Sequence, residues 1–285
     1  MNFKPIKQHS CFDVGVVSSP EPRIIKMSGA QHVPLLGFCA CNCFQESNTD
    51  EDLGTAEGRA QRLFSIGCQQ LEREDLEGAT NSLKECIDLN GWHVEAHYYL
   101  AEALHQQGKL NTSIEYFKRT IMLEPKHHLA YFNLACIYHQ LQNFELALEN
   151  YQKASELDEE DIQTWVNMGL VYREMGDLQK SIEMNMKAIL IDNMHEMAYY
   201  NLGNTFHDLG KNQEAITNFC KAVKLNPQHA NAFFNLGVVY QQNGETEKAI
   251  EAYEQVIQLD PESEDAQEAV LSLKLYNEQI TDKER

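Results

Sequence analysis

The chain has 285 residues, with 23 lysines and arginines against 43 aspartates and glutamates, a formal net charge of −20 and an isoelectric point near 4.9. That balance argues against nucleic acid, whose phosphates demand a basic stripe, and against an anionic membrane surface. The expected partner is a neutral to basic protein segment.

Residues 1–55 are expected to form a mostly disordered tail, because Pro5, Ser18, Ser19, Pro20 and Pro22 alternate with isolated charges and offer little to bury. No charged, then apolar, then small order marks a secretory leader. The apolar run Val33 to Phe44 covers 12 residues, short of the roughly 20 that span a bilayer, so no transmembrane segment is expected. Within it Cys39, Cys41 and Cys43 alternate with Ala40 and Asn42. Three readings stand side by side: an acylation site giving a weak membrane tether, a soft-metal site with Cys11 and no recognised spacing, and a tail without special chemistry. The other cysteines, Cys68, Cys86, Cys136 and Cys220, fall at unrelated helical positions, as expected for free thiols in a reducing cytoplasm.

From Ala60 to Ser263 one phrase recurs six times at a period of 34 residues, in rows 60–93, 94–127, 128–161, 162–195, 196–229 and 230–263. The fourth position of the rows carries Leu63, His97, Tyr131, Trp165, Tyr199 and Phe233. The seventh carries Ile66, Leu100, Leu134, Met168, Leu202 and Leu236, and the eighth is always small: Gly67, Ala101, Ala135, Gly169, Gly203 and Gly237. Spacings of three and four residues put these on one helix stripe. A second helix repeats the logic, with Ala79, Ser113, Ala147, Ser181, Ala215 and Ala249 at the twentieth position and Leu83, Phe117, Tyr151, Asn185, Phe219 and Tyr253 at the twenty-fourth, Asn185 being the misfit. Gly108, Gly176, Gly210 and Gly244 suit the left-handed turn between the helices, and Pro125, Pro227 and Pro261 stop the second helix.

This pattern resembles the tetratricopeptide repeat family over 204 of the 285 residues. The resemblance implies an all-α, right-handed superhelical solenoid of six helix–turn–helix units. Residues 264–279 are expected to form a capping helix with Ala266, Ala269, Val270 and Leu271 facing inward, followed by a short tail at 280–285. The solenoid domain then runs from 56 to 279.

The sixth position reads Ser65, Tyr99, Asn133, Asn167, Asn201 and Asn235. Asparagine is a poor mid-helix residue, so its repetition calls for a reason. A primary amide matches both groups of a peptide bond, and the column resembles the asparagine ladder in the repeat domain of O-linked N-acetylglucosamine transferases, which implies that these four residues hold a peptide main chain. The resemblance is expected to stop at these four residues, without a transferase domain. The alternative is that each amide bonds to a neighbouring repeat and shapes the solenoid.

Tyr98, Phe132, Tyr200 and Phe234, at the fifth position, are candidate apolar contacts for the same peptide, or else packing between helices. His105, His139, Arg173 and His207 form a column at the twelfth position. Helices roughly 8–10 Å apart cannot bring three histidines within the ~2 Å of a zinc–nitrogen bond, so polar groove lining is expected and no metal or cofactor is implied. Some members of the family grip a terminal carboxylate with basic groove residues, but the fifth positions here are aromatic or apolar. Without a phosphate loop, metalloprotease helix or serine elbow, the expected function is a non-enzymatic adaptor or scaffold that binds an extended segment of a partner in a concave groove. The alternative is a constitutive structural subunit or assembly factor that uses the convex and edge surfaces.

Overall fold

The computed structural model describes residues 55–264, 267, 269–271, 273 and 274. Among them are twelve helices in six consecutive pairs: α1 (Ala56–Glu72) with α2 (Leu76–Leu89), α3 (Val94–Gln106) with α4 (Leu110–Leu123), α5 (His128–Gln140) with α6 (Phe144–Leu157), α7 (Ile162–Glu174) with α8 (Leu178–Ile191), α9 (Glu196–Asp208) with α10 (Asn212–Leu225), and α11 (Ala230–Gln242) with α12 (Thr246–Leu259). No described helix is long and apolar enough to cross a membrane. The cysteines Cys39, Cys41 and Cys43 lie outside the described residues.

Each pair closes because its eighth position has no room to spare. A Cβ added to Gly203 would sit 2.6 Å from two ring atoms of Phe219, and one on Gly237 would sit 2.7 Å from Tyr253. The aromatic rings at the twenty-fourth position fill that space: Phe117, Tyr151, Phe219 and Tyr253 are all 0–1 % exposed. Asn185, opposite Gly169, is equally buried, and its Oδ1 has no hydrogen-bond partner. The turn at the fifteenth position takes a positive φ in every unit. Glycine supplies it at Gly108, Gly176, Gly210 and Gly244, and Glu74 and Gln142 adopt it at φ 59° and 57°.

Each second helix also packs on the first helix of the next pair, and α1 touches α3, α7 touches α9 and α9 touches α11. No second helix packs comparably on another second helix. The stack therefore curves with its first helices on the inner side. Beyond α12, Ala269 is fully buried against Ala249 and Tyr253, with Leu273 packed alongside. Leu271, expected to face inward, is 59 % exposed instead. Its place on the helix puts it away from α12, where the nearby Ala269 already fills the contact. Ala266 lies outside the described residues.

Candidate functional site

The inner face is built from columns of side chains that recur on the first helices. Three of these columns tie neighbouring units together, the first two at some of their positions only.

The first tie begins at the fifth position. Tyr98 packs on Phe117, Phe132 on Tyr151, Tyr200 on Phe219 and Phe234 on Tyr253, with ring centroids 5.7–6.0 Å apart. These rings thus join the two helices of a pair. In three rows the fifth-position ring also meets a histidine that ends the same row: His93 lies 4.6 Å from Phe64, His127 stacks 4.7 Å from Tyr98, and His229 lies 4.6 Å from Tyr200. Tyr98 is left 4 % exposed, so its ring has no face for a ligand, whereas Phe132, Tyr200 and Phe234 stay half-buried.

The histidines themselves went unread in the sequence. His93, His127 and His229 each cap the following helix, with Nδ1 accepting from the backbone N–H of Ala96, Ala130 and Ala232 at 3.2–3.3 Å. Asp161 holds the same place before α7 and accepts from the N–H of Gln163. A histidine can accept through Nδ1 only when it is neutral, and burial holds His127 and His229 below the usual histidine range. The signal was present as a histidine recurring every 34 residues, but histidine is not among the favoured cap residues.

The second tie is the asparagine column. Asn133 donates from Nδ2 to the hydroxyl of Tyr98 at 2.9 Å and to the carboxylate of Glu102 at 3.2 Å. Asn235 repeats this three pairs on, donating to the hydroxyl of Tyr200 at 3.2 Å and to Oδ1 of Asn204 at 2.8 Å. In both cases the amide reaches the preceding pair. Asn167 reaches the sulfur of Cys136, at 4.0 Å, and approaches the hydroxyl of Tyr151; the fifth position of the preceding unit is Phe132, which has no hydroxyl. Asn201, 6 % exposed, faces Val166 and Leu170 at the corresponding places and makes no side-chain hydrogen bond among the described residues. The donor side of the column is thus engaged firmly at Asn133 and Asn235 and loosely at Asn167. The Oδ1 atoms of Asn133 and Asn235 accept nothing from the described residues.

Glu102 sits at the centre of the first of these clusters. Tyr98 donates its hydroxyl to Oε1 at 2.7 Å. Burial pushes the carboxyl up to about 7, against the opposing pull of the hydrogen bonds from Tyr98 and Asn133.

The third tie runs along the twelfth position. His105 meets Gln140 at 3.3 Å, His139 meets Glu174 at 2.9 Å, and His207 meets Gln242 at 3.0 Å. Arg173 grips Asp208 with Nε at 2.5 Å and Nη2 at 3.4 Å. Each partner occupies the thirteenth position of the next unit, so the whole column is engaged side by side. Burial lowers the basicity of His105.

Set against known proteins, the chain has no match among curated sequences. Family models for the tetratricopeptide repeat match residues 70–135, 162–193 and 230–263, and a TPR repeat model matches residues 136–176 and 203–244. Among solved structures, PilW, a type IV pilus biogenesis factor, superposes with a TM-score of 0.67 at 16% identity, covering 74% of this chain and 98% of its own. MamA superposes with a TM-score of 0.55 at 25% identity, over 61% of this chain and 94% of its own. YrrB, described as a TPR protein with an unusual peptide-binding site, gives 0.54 at 21% identity, over 67% and 98%. The matched segments follow the six helix pairs through most of the solenoid, and the chain belongs to the tetratricopeptide repeat family.

Proposed function

We propose that the protein is a non-enzymatic interaction module that takes an extended segment of a partner protein along the inner face of its first helices. The carrying observation is the regular inner surface, which combines half-buried Phe132, Tyr200 and Phe234 with the unused acceptors of Asn133 and Asn235. The same fold in YrrB carries a peptide-binding site. Glu174 and Asp208 lie beside this surface, and the chain as a whole is at −20, so a neutral to basic segment suits it better than an acidic one. His105, His139, Arg173 and His207 would frame the segment while remaining tied to the next unit, and Asn167 and Asn201 would face its main chain.

Asn167 and Asn201 allow a cleaner test than Asn133 and Asn235, because Asn201 makes no side-chain hydrogen bond among the described residues and Asn167 only a long one to Cys136 beside its approach to Tyr151. Proximity labelling in cells, read by mass spectrometry, would compare the intact protein with the Asn167→Ala/Asn201→Ala double variant at equal helicity. Loss of a small, defined set of partners is the expected outcome. Identical partner lists from the two proteins would sink the groove reading.

A further inference from the structure

Interior units cover the seventh position of their first helices almost completely: Leu100 is 0 % exposed, Leu134 3 %, Met168 2 %, Leu202 5 % and Leu236 5 %. The cover comes from the second helix of the preceding pair, as α2 packs on α3 and α4 on α5. No described element plays that part for α1, and its Ile66 and Leu63 are only half-buried. Together with Leu89 of α2 and with Arg59 and Arg62 of α1, they line a recess of about 390 Å³ at the open end of the solenoid. A solenoid must cover the apolar faces at both ends. At the far end Ala269 does so. No ion pair joins Arg59 or Arg62 to a described carboxylate.

We propose that residues 33–53 of this same chain dock on the recess and cap the first helix pair. These residues lie outside those described, and the case rests on what the recess lacks and what the sequence just before it contains. Val33, Leu35, Leu36 and Phe38 supply apolar side chains for Leu63, Ile66 and Leu89. Glu46, Asp50, Glu51 and Asp52 follow, and no lysine or arginine occurs from 31 to 54, so the segment brings unopposed negative charge towards two unpaired guanidinium groups. The segment joins α1 directly at its N-cap, Thr55. Doubling back along α1 as far as Ile66 takes roughly 16 Å at the helical rise, well within the reach of the residues between Phe44 and Thr55 at about 3.3 Å each. Docking within one chain also benefits from an effective concentration on the order of millimolar. A second copy is a poorer occupant, since two such ends would oppose Arg59 and Arg62 to themselves in molecules each carrying −20.

Hydrogen exchange read by mass spectrometry tests this on the full-length protein. The comparison is between the unsubstituted chain and an Arg59→Glu/Arg62→Glu variant, with Leu63→Ser as a second probe that removes apolar contact instead of charge. Amides of residues 33–53 should exchange about tenfold or more slowly in the unsubstituted protein than in either variant, with exchange in α5 to α10 unchanged. Exchange of the segment at unstructured-chain rates in the unsubstituted protein would overturn the proposal. So would protection that survives both variants, or protection that rises with protein concentration, which would point to a second copy on the recess.

Discussion

Replacing Glu102 by glutamine should leave the protein about as stable as before at pH 5 and make it more stable at pH 8.5. The carboxyl lies 8 % exposed between α3 and α5, and burial raises it from an ordinary value of 4.5 to about 7. An acid raised in the folded state favours its protonated form there. Its stabilising contribution is full below about 4.5 and is lost as the pH climbs through about 7. A displacement of that size corresponds to about 3 kcal/mol, with the opposing hydrogen bonds from Tyr98 and Asn133 already counted in it. Glutamine keeps an acceptor for both donors and carries no charge at any pH. Buried histidines act in the opposite sense: His97, His127 and His229 are depressed by burial, so their contribution fades as the pH falls. Comparing the two proteins at each pH cancels that background. Urea unfolding followed by circular dichroism at pH 5 and pH 8.5 gives the difference. An equal loss of stability in the variant at both pH values would show that the carboxylate is held by its hydrogen bonds rather than strained by burial.

Two further substitutions test the packing. Gln142 holds φ 57° at a turn where four other units place glycine, so Gln142→Gly should raise stability by about 0.5–1 kcal/mol after the greater freedom of glycine in the unfolded chain is counted; an unchanged or lower melting temperature would refute this. Asn185→Leu removes a buried amide whose Oδ1 has no partner and restores the pairing of leucine with glycine seen at Leu83 and Gly67. It should stabilise by about 1–2 kcal/mol, and a lower urea midpoint would count against it.

The repeat was legible because packing at its small and large positions tolerates few alternatives. Helices α3, α5, α7, α9 and α11 begin at Val94, His128, Ile162, Glu196 and Ala230, the first residue of each row. Helix α1 departs from this, starting at Ala56 because Thr55 caps it, its hydroxyl accepting from the N–H of Gly58, with no described helix before it to set the turn. Glycine marked four of the six left-handed turns. Glu74 and Gln142 were illegible there, since tertiary contacts on both sides impose the turn whatever residue occupies it. The asparagine column was legible as a column, but not in its partners. Which group an amide meets depends on whether the preceding unit offers a hydroxyl, as Tyr98 and Tyr200 do, or a bare ring, as Phe132 does, and that is decided across a contact that no single row contains.

The three ties share one consequence for binding. Ring contacts at Tyr98 and Tyr200, amide donation at Asn133 and Asn235, and the pairing of the twelfth with the thirteenth position all join first helices or their caps. They therefore fix the spacing and curvature of the inner face before any ligand arrives, which lowers the ordering that binding would require. Exposed pairs such as His139 with Glu174 contribute at most about 1 kcal/mol each, and their value here lies in register more than in strength. The same ties use up donors. A segment lying along this face meets mainly acceptors, the Oδ1 atoms of Asn133 and Asn235 and the carboxylates of Glu174 and Asp208. On the proposed reading it would satisfy them with its backbone N–H groups or with lysine and arginine side chains, and its carbonyls would turn to the less engaged amides of Asn167 and Asn201.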